Sequence, residues 1–159
     1  MFFDFARAVK EVKPRVAVGE NVKGLISHDK GRTLLTMVKT LEDLGYNVQY
    51  KLLLAQYFNV PQKRERVFIV ATRKDLPNTY KYPEELDYFV PLEVALKDCP
   101  ASEGQDYPKR KKEIMDMVPQ GGYWKDLPIE IQKEYMKGSF YLGGGKTVTA
   151  RRLSMKQPS

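Results

Sequence analysis

The chain has 159 residues, enough for one ordinary domain or for one domain with an appendage. Hydrophobic residues make up 42% and charged residues 30%, which permits a packed core and excludes a globally disordered chain. A single cysteine, Cys99, and a single histidine, His28, exclude an intrachain disulfide and a Cys/His zinc cluster, while a net charge of +7 suits a polyanionic partner.

No apolar run approaches the roughly 18 residues that cross a bilayer. The first residues, MFFDFARAVKEVKP, carry Asp4 and Arg7 early and lack a small-residue cleavage site. A soluble protein of a reducing, cytoplasmic compartment is therefore expected. The basic excess is shared along the chain, with no basic tail, repeat or low-complexity tract.

In chain order, Phe2, Phe5, Ala6, Val9 and Val12 fall at helical spacing, and Pro14 ends that helix. Residues 15–22, RVAVGENV, predict a buried strand that delivers Glu20 and Asn21 at its C-terminal end. Leu34, Leu35, Val38, Leu41 and Leu44 predict an amphipathic helix over 31–44, with Gly45 as its stop. Residues 47–56 predict a second strand, 57–66 a polar turn, and 67–72, VFIVAT, a third strand. The last two strands are joined too closely for a parallel crossover, so they must be antiparallel. The fold class is α/β. Such apolar strands are usually interior, so the first strand lacks an expected neighbour and the sequence reads as half of a sheet.

Beyond residue 73 the composition changes. Residues 74–91 hold three prolines and three tyrosines and read as a linker. Short helices are expected over 92–97, 109–117 and 128–137 in an otherwise irregular region, with low internal order or order borrowed from a partner. Gly143 to Thr147 suggests a phosphate loop, but Phe140 stands where that motif needs its first glycine. A turn near Arg151 and Arg152 is expected instead.

Glu20, just past a buried strand, sits where open α/β sheets place ligands. Its plainer reading is a turn acid or helix cap. Gln62, Lys63, Arg64, Glu65 and Arg66 precede the third strand. Arg64 and Arg66 share a face if the strand starts early, and such a pair can hold a carboxylate or phosphate. The plainer reading there is a solvated turn. Cys99, in Asp-Cys-Pro, lacks a basic neighbour and reads as inert, and His28 reads as a loop residue.

Read together and in order, ENVKGL at 20–25, Gly45-Tyr46 after a helix, and NVPQKRERVFIVATR at 59–73 resemble the DNA (cytosine-5) methyltransferases. The segments GGYWKDLP at 121–128 and GGGKTVTARRLSMKQPS at 143–159 resemble family sequence entering the target-recognition region. The resemblance implies a partial Rossmann-like methyltransferase sheet of three strands over 1–73, a linker over 74–91, and the start of target recognition over 92–159. In the family chemistry a cysteine thiolate adds to cytosine C6. C5 then takes the methyl of S-adenosylmethionine, while a carboxyl group near N3 stabilises the ring.

The position matching that carboxyl group is Glu20. Arg64 and Arg66 match the arginines that position it and the base, with Arg66 expected at the base. Asn21 and Gln62 would support them. Lys63, Lys146, Arg151 and Arg152 would meet DNA phosphates, and no metal is implied. The target cytosine would be flipped from double-stranded DNA. The family's cofactor motif and Pro-Cys loop belong upstream of residue 1, so the chain is expected to be inactive alone. It would be completed by a complementary polypeptide, or associate with itself through the sheet edge at Val16–Val18. The family implies a role in host DNA modification beside a restriction enzyme. A non-catalytic DNA-binding remnant or regulatory partner, with basic groups at 109–112, 146 and 151–152 on phosphate, is the alternative.

Overall fold

In the first helix, α1 (Phe2–Val12), Ala6 and Val9 are one turn apart and both buried, while Phe2 and Phe5 pack partly against the same core. This computed structural model describes residues 2–77, 80–101, 103–104, 106–143 and 150–159. The chain divides into two compact units, one of Met1–Asn59 with Lys63–Tyr88, the other of Val60–Gln62 with Phe89–Ser159.

In the first unit α1 leads into β1 (Val16–Val22). Two 3₁₀ turns, Lys23–Ile26 and His28–Gly31, then lead to α2 (Arg32–Asp43), which buries Leu34 and Leu41. Gly45 takes φ +93, a left-handed value that suits glycine, and its N–H bonds the Glu42 carbonyl at 3.0 Å. The chain then enters β2 (Tyr46–Leu54) and returns as β3 (Glu65–Arg73). Tyr46 is 2% exposed, and its hydroxyl donates to the Pro14 carbonyl at 2.9 Å. That bond ties the start of β2 to the connection between α1 and β1.

The sheet order is β1-β3-β2, with β3 antiparallel to both neighbours. The antiparallel expectation for β2 and β3 holds, but the interior strand is β3. Its apolar run is therefore explained by its place: Val67 and Ala71 are fully buried, and Ile69 nearly so. With Ala17, Val9, Leu34 and Leu41 they form one core under the two helices. Alternation places Val16, Val18, Glu20 and Val22 on the opposite face from Ala17. These three valines are 48%, 56% and 54% exposed. Among the described residues, no strand pairs with the outer edge of β1.

The stretch after β3 stays with this unit. Leu86 donates its N–H to the Tyr57 carbonyl, and the Tyr82 hydroxyl reaches the carbonyls of Phe68 at 2.8 Å and Gln49 at 3.2 Å. Tyr82 thus caps the β2–β3 pair with one side chain. Partial burial pushes its phenol up to about 12.

The second unit holds α3 (Leu92–Ala95), α4 (Lys109–Met117), α5 (Ile129–Met136) and α6 (Gly138–Tyr141). Low internal order was expected here, yet Ile114, Val118, Trp124, Leu127, Met136 and Ala150 form a second core. Each contributing helix is short and bounded by proline or glycine, so the periodic pattern in each is too brief to announce a shared core. The turn before Trp124 is tightly built. Asp126 accepts from the Tyr123 N–H at 2.8 Å, and a Cβ on Gly122 would lie 2.8 Å from both Asp126 Oδ2 and Pro119 Cγ. Only glycine fits there. Among the described residues no helix is long and apolar enough to cross a membrane.

Tyr82 yields a pH prediction. Its folded phenol is held above the usual value of 10, so the neutral form favours the fold. The stability it contributes is present below pH 10 and lost as pH rises through about 12. Urea unfolding across this range should show a smaller alkaline loss for Tyr82→Phe than for the parent. Identical alkaline profiles would contradict the assignment.

Candidate active site at the end of β1

Cross-strand register builds the site. Glu20 faces Phe68 and Val22 faces Arg66, so Glu20 and Arg66 are diagonal neighbours on one face of the sheet. Arg66 Nε meets Glu20 Oε1 at 2.6 Å, and Arg66 Nη1 donates to the Glu65 carbonyl at 2.8 Å. The guanidinium is thereby held at two points. Its side chain is 24% exposed and that of Glu20 46%, so the carboxylate stays open to an incoming group. An ion pair this exposed contributes below about 1 kcal/mol to stability. Its consequence is orientation.

Asn21 Oδ1 accepts from the Val22 N–H at 2.8 Å, a local bond that shapes the strand exit. One residue further on, Lys23 Nζ meets Glu65 Oε1 at 2.9 Å. A cavity of about 320 Å³ opens beside this strand end, lined by Phe2, Phe5, Glu20, Asn21, Met37 and Ile69 among others.

The other sequence-predicted residues are placed variously. Arg64 is exposed and lies one residue before β3, and its carbonyl accepts from the Ala55 N–H at 2.9 Å. Lys63 is exposed in the same turn. Gln62 is exposed and belongs to the second unit, as do Arg151 and Arg152. Arg151 is exposed, whereas the Arg152 guanidinium donates to the carbonyls of Val118 at 3.1 Å and Asp116 at 3.5 Å. Lys146 lies outside the described residues. Cys99 is exposed, and no group of His, Cys, Asp and Glu able to hold a metal occurs among the described residues. Sequence reading missed Lys23 and Glu65 as partners. Their contact follows only from the β1–β3 register, which no motif in the sequence announces.

A family model described as C-5 cytosine-specific DNA methylase matches residues 1–148. The chain belongs to this methylase family. It is 54% identical over 169 aligned residues to the Type II methyltransferase M.Eco47II of Escherichia coli, covering all of this chain and 40% of that protein. It is 53% identical to the Type II methyltransferase M.PspPI of Psychrobacter sp. (strain TA137), again over the whole chain and 41% of the relative. Among solved structures, a DNMT2 from Spodoptera frugiperda superposes with a TM-score of 0.53 at 18% identity. That match covers 75% of this chain and 38% of the other, and it is a likeness of fold. The methylase chain thus spans about two fifths of the length of the curated relatives it matches.

The C-5 methylase family implies S-adenosylmethionine as methyl donor. The cavity beside Glu20 does not fit it. Its walls are mostly apolar, with one carboxylate and one amide, and no cation among them to receive the donor's own carboxylate. No residue lining this cavity is assigned to the methyl donor.

The exposure of the ion pair sets a prediction. Glu20→Gln and Arg66→Met should each shift the urea midpoint by an amount worth less than about 1 kcal/mol. A loss of several kcal/mol would instead mark the pair as a structural strut.

Proposed function

We propose that this chain supplies the base-facing carboxylate of a DNA (cytosine-5) methyltransferase acting on double-stranded DNA. The observation that carries the reading is the Glu20–Arg66 contact of 2.6 Å at the end of β1. Glu20, as the carboxylic acid, would donate its proton to N3 of a cytosine flipped out of the duplex as negative charge develops on the ring, which makes C6 easier to attack and leaves the carboxylate paired with Arg66. Arg66 would hold the carboxylate in register for that contact. Asn21 would shape the strand exit, Arg64 would flank the base, and Gln62 is proposed as a supporting residue. Lys63, Lys146, Arg151 and Arg152 are proposed as phosphate contacts, with Arg152 acting mainly through the loop that it braces.

The attacking thiolate is assigned outside these 159 residues, because Cys99 is exposed and precedes a proline. Methyl transfer from S-adenosylmethionine would thus need a further polypeptide segment, and the chain alone should not methylate. The residue ranges 1–73, 74–91 and 92–159 are proposed as catalytic half, linker and start of target recognition. The names of the Type II relatives support a role in host DNA modification beside a restriction enzyme.

The test is a chimera in which this chain replaces the matching segment of the Escherichia coli relative. Labelled methyl incorporation into unmethylated duplex DNA should be restored. Glu20→Gln should then lower it by about 100-fold or more, the usual scale for a general acid–base group. Arg66→Lys should fall between, since lysine cannot reproduce the two-point hold. A chimera whose activity survives Glu20→Gln would overturn the reading.

The uncovered β1 edge carries a second expectation. Val16, Val18 and Val22 are proposed to be covered by a complementary methyltransferase segment or by a second copy of the chain. Sedimentation of the chain at low micromolar concentration should show self-association when no such segment is present. A well-folded monomer would count against coverage by a second copy.

A further inference from the structure

Two consecutive residues of β3 are bound to two residues near the end of β1. Arg66 holds Glu20 at 2.6 Å, and Glu65 holds Lys23 at 2.9 Å. Glu65 is shared by both contacts, because its backbone carbonyl also accepts from Arg66 Nη1 at 2.8 Å. Strand alternation sends the side chains of Glu65 and Arg66 to opposite faces of the sheet. The two ion pairs therefore grip the end of β1 from both sides.

We infer that Lys23 and Glu65 are positioning residues for the Glu20 carboxylate, a role that rests on the proposed methyltransferase reading. With Lys23 held, the strand exit cannot roll about its own axis, and Glu20 keeps its diagonal relation to Arg66. β1 ends at Val22, and the chain passes at once into the Lys23–Ile26 turn, so the Lys23–Glu65 contact is the first side-chain tether beyond the paired strand. Both side chains are substantially exposed, at 60% and 36%, so the pair adds little to global stability. Its effect falls on geometry.

The experiment has two readouts. In the full chain, hydrogen exchange of the Arg66 Nε–H is followed by nitrogen-15 NMR. Lys23→Met and Glu65→Gln should each speed exchange by about threefold to fivefold, the scale of a cross-strand ion pair. The exchanged pair Lys23→Glu with Glu65→Lys should restore the slow rate. In the chimera, the single variants should lower kcat with little change in the KM for DNA, and the exchanged pair should recover kcat. Unaltered Arg66 exchange in both single variants would overturn the inference, whatever the activity. Faster exchange with unaltered kcat would overturn the positioning role while leaving the Glu20 reading intact. Loss of the Glu20→Gln effect in the same assay would sink the underlying methyltransferase reading instead.

Discussion

The pairing of β1 with β3 in one register is the constraint on which the candidate site depends. Antiparallel pairing sets Val22 against Arg66, and this brings a carboxylate and a guanidinium from residues 46 positions apart in the chain to within 2.6 Å. A slip of one residue would send Arg66 to the other face and leave Glu20 without its partner. The register is well specified because the opposite face of the same strands is core. Ala17, Val67, Ile69 and Ala71 lie buried under α1 and α2. Hydrophobic burial thus fixes the position of a charged pair that contributes little stability of its own.

Rigidity and access are divided between elements. β3, buried on both faces and paired on both edges, supplies the fixed side through Arg66. β1, paired on one edge, supplies the accessible carboxylate. Catalytic groups of this kind need a fixed orientation together with an open approach. The second unit folds around its own small core, in which Trp124 and Ile114 are buried and Arg152 braces the carbonyls near Val118. It carries several of the basic residues proposed to meet phosphate.

Much of the first unit was legible in the sequence. The helical spacing of Phe2, Phe5, Ala6 and Val9, and of Leu34, Val38 and Leu41, placed both helices to within two residues. The short connection after β2 required an antiparallel return. The site was legible as residue types, since Glu20 and Arg66 lie in motifs that resemble the methyltransferases. Strand order was not legible, because pairing partners are chosen in three dimensions and a run such as VFIVAT reports burial without naming its neighbours. Lys23 and Glu65 were hidden for the same reason: their contact exists only once β1 and β3 are set in register. The second core was hidden by glycine and proline, which break periodicity while allowing the tight turns at Gly121 and Gly122 that assemble it.

The central claim is that Glu20 acts on N3 of the target cytosine. The most direct measurement compares methyl transfer by the chimera and by its Glu20→Gln variant on duplex DNA. One duplex carries cytosine at the target, and the other carries 3-deazacytosine, which has carbon in place of N3. The account predicts that the variant is slow on cytosine, and that on the deaza base the two proteins react at the same reduced rate. An equal penalty for Glu20→Gln on both bases would contradict the account, because the carboxylate would then act elsewhere than at N3.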